Sequence, residues 1–127
     1  KKAYRAAQFT AGSFRNELED LVRTIQQAAG QQCLVVLPAL PVHRAPVFGG
    51  MWPLQPALQS LAGLWDDQKR ALAQDLRCVR FVHNAEGTEW WTADCYWAAD
   101  GIHPNDEGYR IWGEHIAQSV AQGVINS

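Results

Sequence analysis

The chain has 127 residues, which fits one ordinary domain and excludes a multidomain enzyme. Apolar residues make up 47% of it, enough for a core, and the net charge of −2 argues against a nucleic-acid binder held by phosphate contacts. The longest apolar stretch, Cys33–Val42, is broken by two prolines and is too short for a bilayer, which needs about 20 apolar residues.

The chain begins with two lysines and not with Met, so the lack of a leader sequence says nothing about export. Its three cysteines, Cys33, Cys78 and Cys95, form no Cys-x-x-Cys pair, which argues against a structural zinc site. Cys33 and Cys78 each open an apolar run, where we expect a buried, reduced thiol. This favours a reducing compartment such as the cytoplasm.

The first predicted helix runs from about residue 14 to residue 29. Residues 1–12 show no clear period and are interpreted as a lead-in, while Ser13 is a suitable N-cap. Gly30 is expected to end the helix. One apolar face is predicted from the spacing of Phe14, Leu18, Leu21, Val22 and Ile25.

A strand, a helix and a second strand follow. The apolar run 33–37 predicts a strand buried on both faces, as in a parallel sheet covered by helices. Residues 38–53 contain four prolines and form a long loop of the kind that is often functional. Leucines at helical spacing predict a helix over 54–76, and a second strand is predicted over 78–82. This alternation indicates a βαβ unit of an open α/β fold.

The last predicted element is a helix that begins after Pro104 and ends at Gly123, behind an irregular stretch over 83–103. Only two strands are therefore predicted, and two parallel strands are not a stable sheet alone. We interpret the chain as a C-terminal portion of a domain. Its sheet would be completed by another polypeptide or by exchange with a second copy.

The most informative motif is the run from Asp100 to Tyr109, which opens the last helix. Ligands of open α/β sheets bind outside the carboxyl ends of the strands. A carboxylate three residues before a His on a tight turn can accept a hydrogen bond from Nδ1 of His103 and leave Nε2 free as a base. The alternative is an Asp-Gly turn with a surface His and a helix cap.

The sequence Asp-Gly-Ile-His-Pro at 100–104, followed by Gly108, Tyr109 and Trp112, resembles the last conserved block of the SGNH, or GDSL, hydrolases. The upstream helix and strand resemble the segments that follow the third block of that family. The resemblance covers most of the chain. It implies a flavodoxin-like, three-layer α/β fold with five parallel strands, of which 1–127 is the C-terminal portion, with 1–12 as lead-in and 13–127 as the α/β part.

The resemblance also implies ester hydrolysis by a Ser-His-Asp triad, without a cofactor, on a small acyl ester or lysophospholipid-like substrate. His103 would be the general base and then the general acid, and Asp100 would orient it. The Gly-Asp-Ser block with the nucleophile and the blocks for the oxyanion hole do not occur here. The serines are Ser13, Ser60, Ser119 and Ser127, and none follows Gly-Asp.

The nucleophile is therefore expected from a complementary N-terminal segment or chain, or from a swapped homodimer, and this chain alone is expected to be inactive. One alternative is a non-catalytic half that keeps the fold and binds a ligand. A second uses Cys95 as the nucleophile. A third is a metal-dependent hydrolase, with ligands drawn from Asp94, Asp100, His103 and His115. The simplest interpretation of His115 is a solvated helix position.

Aromatic residues in the two long loops are candidates for a substrate pocket at the catalytic edge, because ligand pockets are mostly apolar with a few placed polar groups. The candidates are Trp90, Trp91, Trp97, Trp52 and Phe48, with Met51 beside them. Ordinary packing of loops on the core is the alternative for each of them. Neighbours in an extended segment point in opposite directions, so only one of Trp90 and Trp91 can face the pocket.

Overall fold

A computed structural model of the chain describes residues 2–84 and 93–125, which form three α-helices and two β-strands. The elements are α1 (Lys2–Ala29), β1 (Val35–Pro38), α2 (Leu54–Asp75), β2 (Val79–Val82) and α3 (Asp106–Ile125). Short 3₁₀ turns lie at Val42–Arg44, Pro46–Phe48 and Asp94–Tyr96. No helix within this described part of the chain has the length and apolar character needed to cross a membrane.

The two strands pair in parallel, in a register that runs from Val35 opposite Val79 to Pro38 opposite Val82. Since α2 connects them, the predicted α/β class and the βαβ unit are confirmed. Both strands begin later than predicted. Cys78 has a φ of 55°, outside the extended region, so β2 starts at the next residue. Cys33 and Cys78 are half-buried, and the expectation of two buried thiols is wrong.

The first helix is longer than predicted, because it already includes residues 2–12. That segment lacks an apolar period, but it contains four alanines and no proline, and alanine has the highest helix propensity. Ser13 consequently lies inside α1 and does not cap it. The end of the helix at Ala29, directly before Gly30, agrees with the prediction.

One face of the sheet packs against α1 and α2. The buried residues of this core are Val22 from α1, Leu72 from α2, and Leu37 and Val79 from the strands. Leu72 is fully buried, and truncating such a side chain to Ala typically costs about 2–5 kcal/mol. Two of the five residues on the predicted apolar face of α1, Leu21 and Ile25, stay exposed.

The opposite face of the sheet carries α3. Successive side chains of a strand point to opposite faces, so Arg80 lies on the face of the sheet opposite to Val79. Its Nη1 donates a hydrogen bond of 2.8 Å to the Val120 carbonyl of α3. The guanidinium occupies the space where a Cβ of Gly123 would lie. The helix passes through Gly123 and ends at Ile125, so the predicted stop at Gly123 is wrong: the glycine makes room for Arg80.

A buried lysine lies at the carboxyl end of β1. Lys69 of α2 is 7% exposed, and its Nζ donates to the Pro38 carbonyl and to Asp66 Oδ1, each at 3.0 Å. A buried ammonium needs such partners to offset its lost hydration. The amides of Val35 and Ala39 donate to the carbonyls of Cys78, directly before β2, and of Val82 in β2. The alternate residues of β1, Val36 and Pro38, therefore present their backbone groups at the edge that β2 does not occupy.

Candidate active site

The loop with the Asp-x-x-His motif is closed on itself. Trp97 and Pro104 form an antiparallel bridge, and the Ala98 amide donates to the His103 carbonyl at 2.8 Å. The loop is also tied to the long loop after β1, because the Val47 amide donates to the Gly101 carbonyl at 3.0 Å. These backbone bonds fix the path of the chain around Asp100 and His103.

Asp100 and His103 form a hydrogen-bonded pair, with Nδ1 of the imidazole 2.7 Å from Asp100 Oδ2. The other oxygen, Oδ1, accepts the amides of Ile102 at 2.9 Å and of His103 at 3.0 Å. The His103 side chain and then these two amides hold the pKa of Asp100 well below its usual range, so that Asp100 remains a carboxylate. With Nδ1 donating to it, Nε2 carries the lone pair and can act as a base.

The first turn of α3 packs against this loop and holds it in place. Asn105 caps the helix, since its Oδ1 accepts the Gly108 amide at 3.0 Å, and its Nδ2 donates to the Cys95 carbonyl at 2.6 Å. Gly108 is buried, and a Cβ there would overlap the Tyr96 carbonyl and lie 2.8 Å from Pro104 Cβ. The first turn of α3 thus packs directly against the loop and fixes the position of His103 relative to the rest of the fold.

His103 faces a cavity of about 200 Å³, here named the histidine cavity. Its walls come from the loop after β1, from the Asp-x-x-His loop and from the first turns of α3. The lining residues are Leu40, Pro41, Val42, Trp97, Ile102, His103, Pro104, Tyr109 and Trp112. An apolar cavity with one placed imidazole at the carboxyl end of a parallel sheet suits an apolar ligand with a group that exchanges a proton with His103.

The five pocket candidates differ from one another in where the structure places them. Trp97 is buried and lines the histidine cavity. Phe48 is half-buried and packs against Trp97 and Ala45 outside the lining. Trp52 is 83% exposed and does not line the cavity. Trp90 and Trp91 lie outside the described residues.

Sequence reasoning missed several residues of the cavity wall. Leu40 and Val42 fall in the predicted long loop, and Tyr109 and Trp112 in the segment that resembles the last conserved block; none of the four is predicted to line a pocket. Tyr109 is in fact exposed, with its ring stacked at 6.3 Å on that of Trp112. The signal for Leu40 and Val42 was present, because the apolar run of β1 continues past Pro38, where the strand has ended.

The other sequence candidates lie away from this cavity. The hydroxyls of Ser60 and Ser119 donate to carbonyls of their own helices at 3.0 and 2.8 Å, Ser13 is exposed on α1, and none of the three lines the cavity. Cys95 is exposed and is not part of the lining. His115 is half-buried with Nε2 2.8 Å from the His83 carbonyl, and so is not a solvated position.

Over residues 2–84 and 93–125, no three His, Cys, Asp or Glu side chains come together in a way that could hold a metal ion. Nδ1 of His103 and Oδ2 of Asp100 are hydrogen-bonded to each other.

A comparison with models of protein families finds one that matches most of the chain. A model of the GDSL-like lipase/acylhydrolase family matches residues 3–116, which include all of α1, β1, α2 and β2 except Lys2, together with the Asp-x-x-His loop. No curated protein and no solved structure matches the chain.

Proposed function

The chain belongs to the GDSL-like lipase/acylhydrolase family, and on that premise we propose that Asp100 and His103 are two members of a Ser-His-Asp triad that hydrolyses a small acyl ester or a lysophospholipid-like substrate. Membership in this family indicates hydrolase chemistry on esters. The observation that carries the proposal is the 2.7 Å hydrogen bond between Asp100 Oδ2 and His103 Nδ1 at the edge of an apolar cavity.

In the first half of the reaction His103 acts as the base. A serine hydroxyl attacks the ester carbonyl carbon, Nε2 takes its proton, and the carbonyl oxygen becomes an oxyanion. The bond to the alcohol then breaks as Nε2 returns the proton to the leaving oxygen. Asp100 stays ionised and stabilises the imidazolium between these two transfers.

In the second half a water molecule replaces the alcohol. Nε2 takes a proton from the water, whose oxygen attacks the acyl carbon, and the proton then passes to the serine oxygen as the acid is released. The sum is one ester and one water converted to one acid and one alcohol. No cofactor enters this balance.

The serine and the donors for the oxyanion come, in this proposal, from a complementary N-terminal segment or chain, or from a second copy in an exchanged dimer. Among the residues that the structure describes, the lining of the histidine cavity contains no serine, which supports a nucleophile from elsewhere. Removing a single oxyanion donor typically costs about 100- to 1,000-fold in kcat, so the pair without any such donor is expected to be a weak catalyst.

The test is hydrolysis of p-nitrophenyl acetate. The isolated 127-residue chain is expected to be no faster than free imidazole, and activity sensitive to a serine-directed inhibitor is expected only with the complementary segment present. Saturable turnover by the pure chain, abolished by that inhibitor, contradicts the missing nucleophile.

A non-catalytic half of the same fold is the second candidate function. It is favoured by one observation, the absence of serine from the histidine cavity in the described part of the chain. Sequencing the complementary segment distinguishes the two candidate functions. A Gly-Asp-Ser block in that segment supports the esterase, and its absence supports the non-catalytic binding half.

A further inference from the structure

A second cavity, of about 290 Å³, lies between α1 and α2 beside the histidine cavity, and is here named the helix cavity. Phe14 of α1 and Trp65 of α2 both line it, and their rings contact each other with centroids 5.8 Å apart. Leu58, Leu61 and Ala62 of α2 complete the apolar side. This cavity plays no part in the acid–base chemistry proposed above.

The two cavities are adjacent because they share two residues of their walls. Leu40 and Val42 line both, and both side chains are exposed at the boundary. Pro41, between them in the chain, is buried and lines only the histidine cavity. An apolar surface therefore runs from His103 over Leu40 and Val42 to the space between the helices.

The polar residues at the end of the helix cavity are already paired. Lys69 donates to Asp66 and to the Pro38 carbonyl, so that its methylene stem and not its charge faces the cavity. A polar ligand group would lose its water there and find no partner, which costs free energy. Hydrocarbon loses nothing of this kind and gains by burial.

We propose that the helix cavity holds the hydrocarbon tail of the acyl group whose ester carbonyl lies beside His103. The inference rests on the proposed function for the position of the carbonyl. It names the substrate class as esters whose acyl chain is long enough to cross Leu40 and Val42. Each methylene that enters the helix cavity is expected to tighten binding about four-fold.

The test uses straight-chain primary alkanols from butanol to octanol as probes, titrated into the protein as purified and followed by calorimetry. Affinity is expected to rise about four-fold per methylene. Ala62→Leu fills the helix cavity and is expected to abolish most of this increment. Ala57→Leu is the matched control, because Ala57 lies exposed on the same helix outside the cavity and should leave the increment unchanged.

A second variant guards against a folding defect in Ala62→Leu. Leu61 is 40% exposed at the cavity wall, so Leu61→Gln keeps a similar size and leaves the core intact while placing an amide in the apolar path. It is expected to weaken octanol binding more than ten-fold with an unchanged circular dichroism spectrum. Octanol binding equal to that of the unsubstituted protein overturns the tail site.

The outcomes for the tail and for the triad are distinguishable. Alkanol binding that rises with chain length and falls in Ala62→Leu supports the tail site even if no ester is hydrolysed, which counts against the triad. Ester hydrolysis with the same KM for short and long acyl chains overturns the tail site and leaves the triad standing. Affinity independent of chain length, as expected if another polypeptide segment fills the cavity, also overturns it.

Discussion

Asp100 binds two different kinds of donor with its two oxygens. Oδ1 accepts two backbone amides and closes the turn, and Oδ2 holds the imidazole of His103. The residue that shapes the loop is therefore also the one that sets the tautomer of the base. Substitutions at this position affect the turn and the chemistry separately, according to which oxygen they remove.

In the complete enzyme, His103→Ala is expected to lower kcat about a million-fold, and Asp100→Ala or Asp100→Asn about ten-thousand-fold. Removal of the base ends activation of the serine, whereas loss of the carboxylate leaves some base function. Asn retains an oxygen for the two amides, so only Asp100→Ala should also lower the melting temperature. Steady-state kinetics and thermal unfolding measure the two effects.

His83→Ala is the control for His103, because His83 is exposed and does not line the histidine cavity. It should leave kcat unchanged. Most activity surviving in His103→Ala, or activity lost on adding a chelator, would indicate the metal-dependent alternative.

The pH dependence of the turn follows from the lowered pKa of Asp100, whose main causes are the bonds from the His103 side chain and the two amides. An ordinary Asp titrates near pH ~4. Because the folded pKa lies below that value, the contribution of Asp100 is complete above it, and is lost only as the pH falls through the lower folded pKa. The amide NMR signals of Ile102 and His103 should not titrate near pH ~4. In Asp100→Asn, the control, these two signals should show no titration of a carboxylate at position 100. A titration midpoint of the two signals near pH ~4 in the unsubstituted protein would contradict the expectation.

Among the elements, the first turn of α3 is the one on which the candidate site depends most directly. Gly108 lets the helix approach the Tyr96 carbonyl and Pro104 at a distance that no side chain permits. Asn105 joins the same turn to the loop through both ends of its amide. The position of His103 above the cavity is thus a product of helix packing as well as of loop hydrogen bonds.

Gly108→Ala is expected to destabilise the protein by about 1–3 kcal/mol, since the new Cβ must displace backbone or Pro104. Gly113→Ala in the same helix has open space around the new Cβ and should stabilise the protein by up to about 1 kcal/mol. Urea unfolding of the two variants gives both values. Equal signs for the two would show that the approach of α3 to the loop is not tight.

The elements that the sequence predicted best are those defined by apolar spacing. The helix at Leu54–Asp75 and both strands were found within two residues of their ends. Residues 2–12 were missed because alanine propensity leaves no periodic pattern, and the end of α3 because Arg80 comes from another element to occupy the space at Gly123. The pairing of Asp100 with His103 was predictable from local spacing. The sharing of Leu40 and Val42 by two cavities depends on packing between distant segments and has no local signature.

At the scale of the whole molecule, apolar surface remains uncovered at one edge and on one helix. Leu21 and Ile25 of α1 are exposed, as is Leu34 directly before β1. β1 pairs with β2 on one side, and its backbone groups at Val36 face the other. Two strands alone are marginal, and such an edge favours pairing with another strand.

We expect the chain to be isolated with a complementary segment or as an intertwined dimer, and native mass spectrometry or sedimentation can decide this. Val36→Pro removes an outward amide without touching the bonds to β2, so it should weaken the association while the βαβ unit persists. Val36→Thr, which keeps the amide and the branched shape, should associate normally. A cooperatively unfolding monomer for the unsubstituted chain would mean that these 127 residues form a complete fold.

The solvent exposure of Asp100 and His103 weakens the electrostatic attraction between them. In this chain the His103 side chain is 64% exposed and that of Asp100 is 47% exposed. Water of high dielectric constant and dissolved ions therefore screen the attraction between the carboxylate and any charge that forms on the imidazole. Whatever covers this surface lowers the local dielectric constant while the geometry stays the same. The attraction between Asp100 and a charged His103 would then depend on salt concentration in the uncovered chain and become largely independent of it in the assembled one.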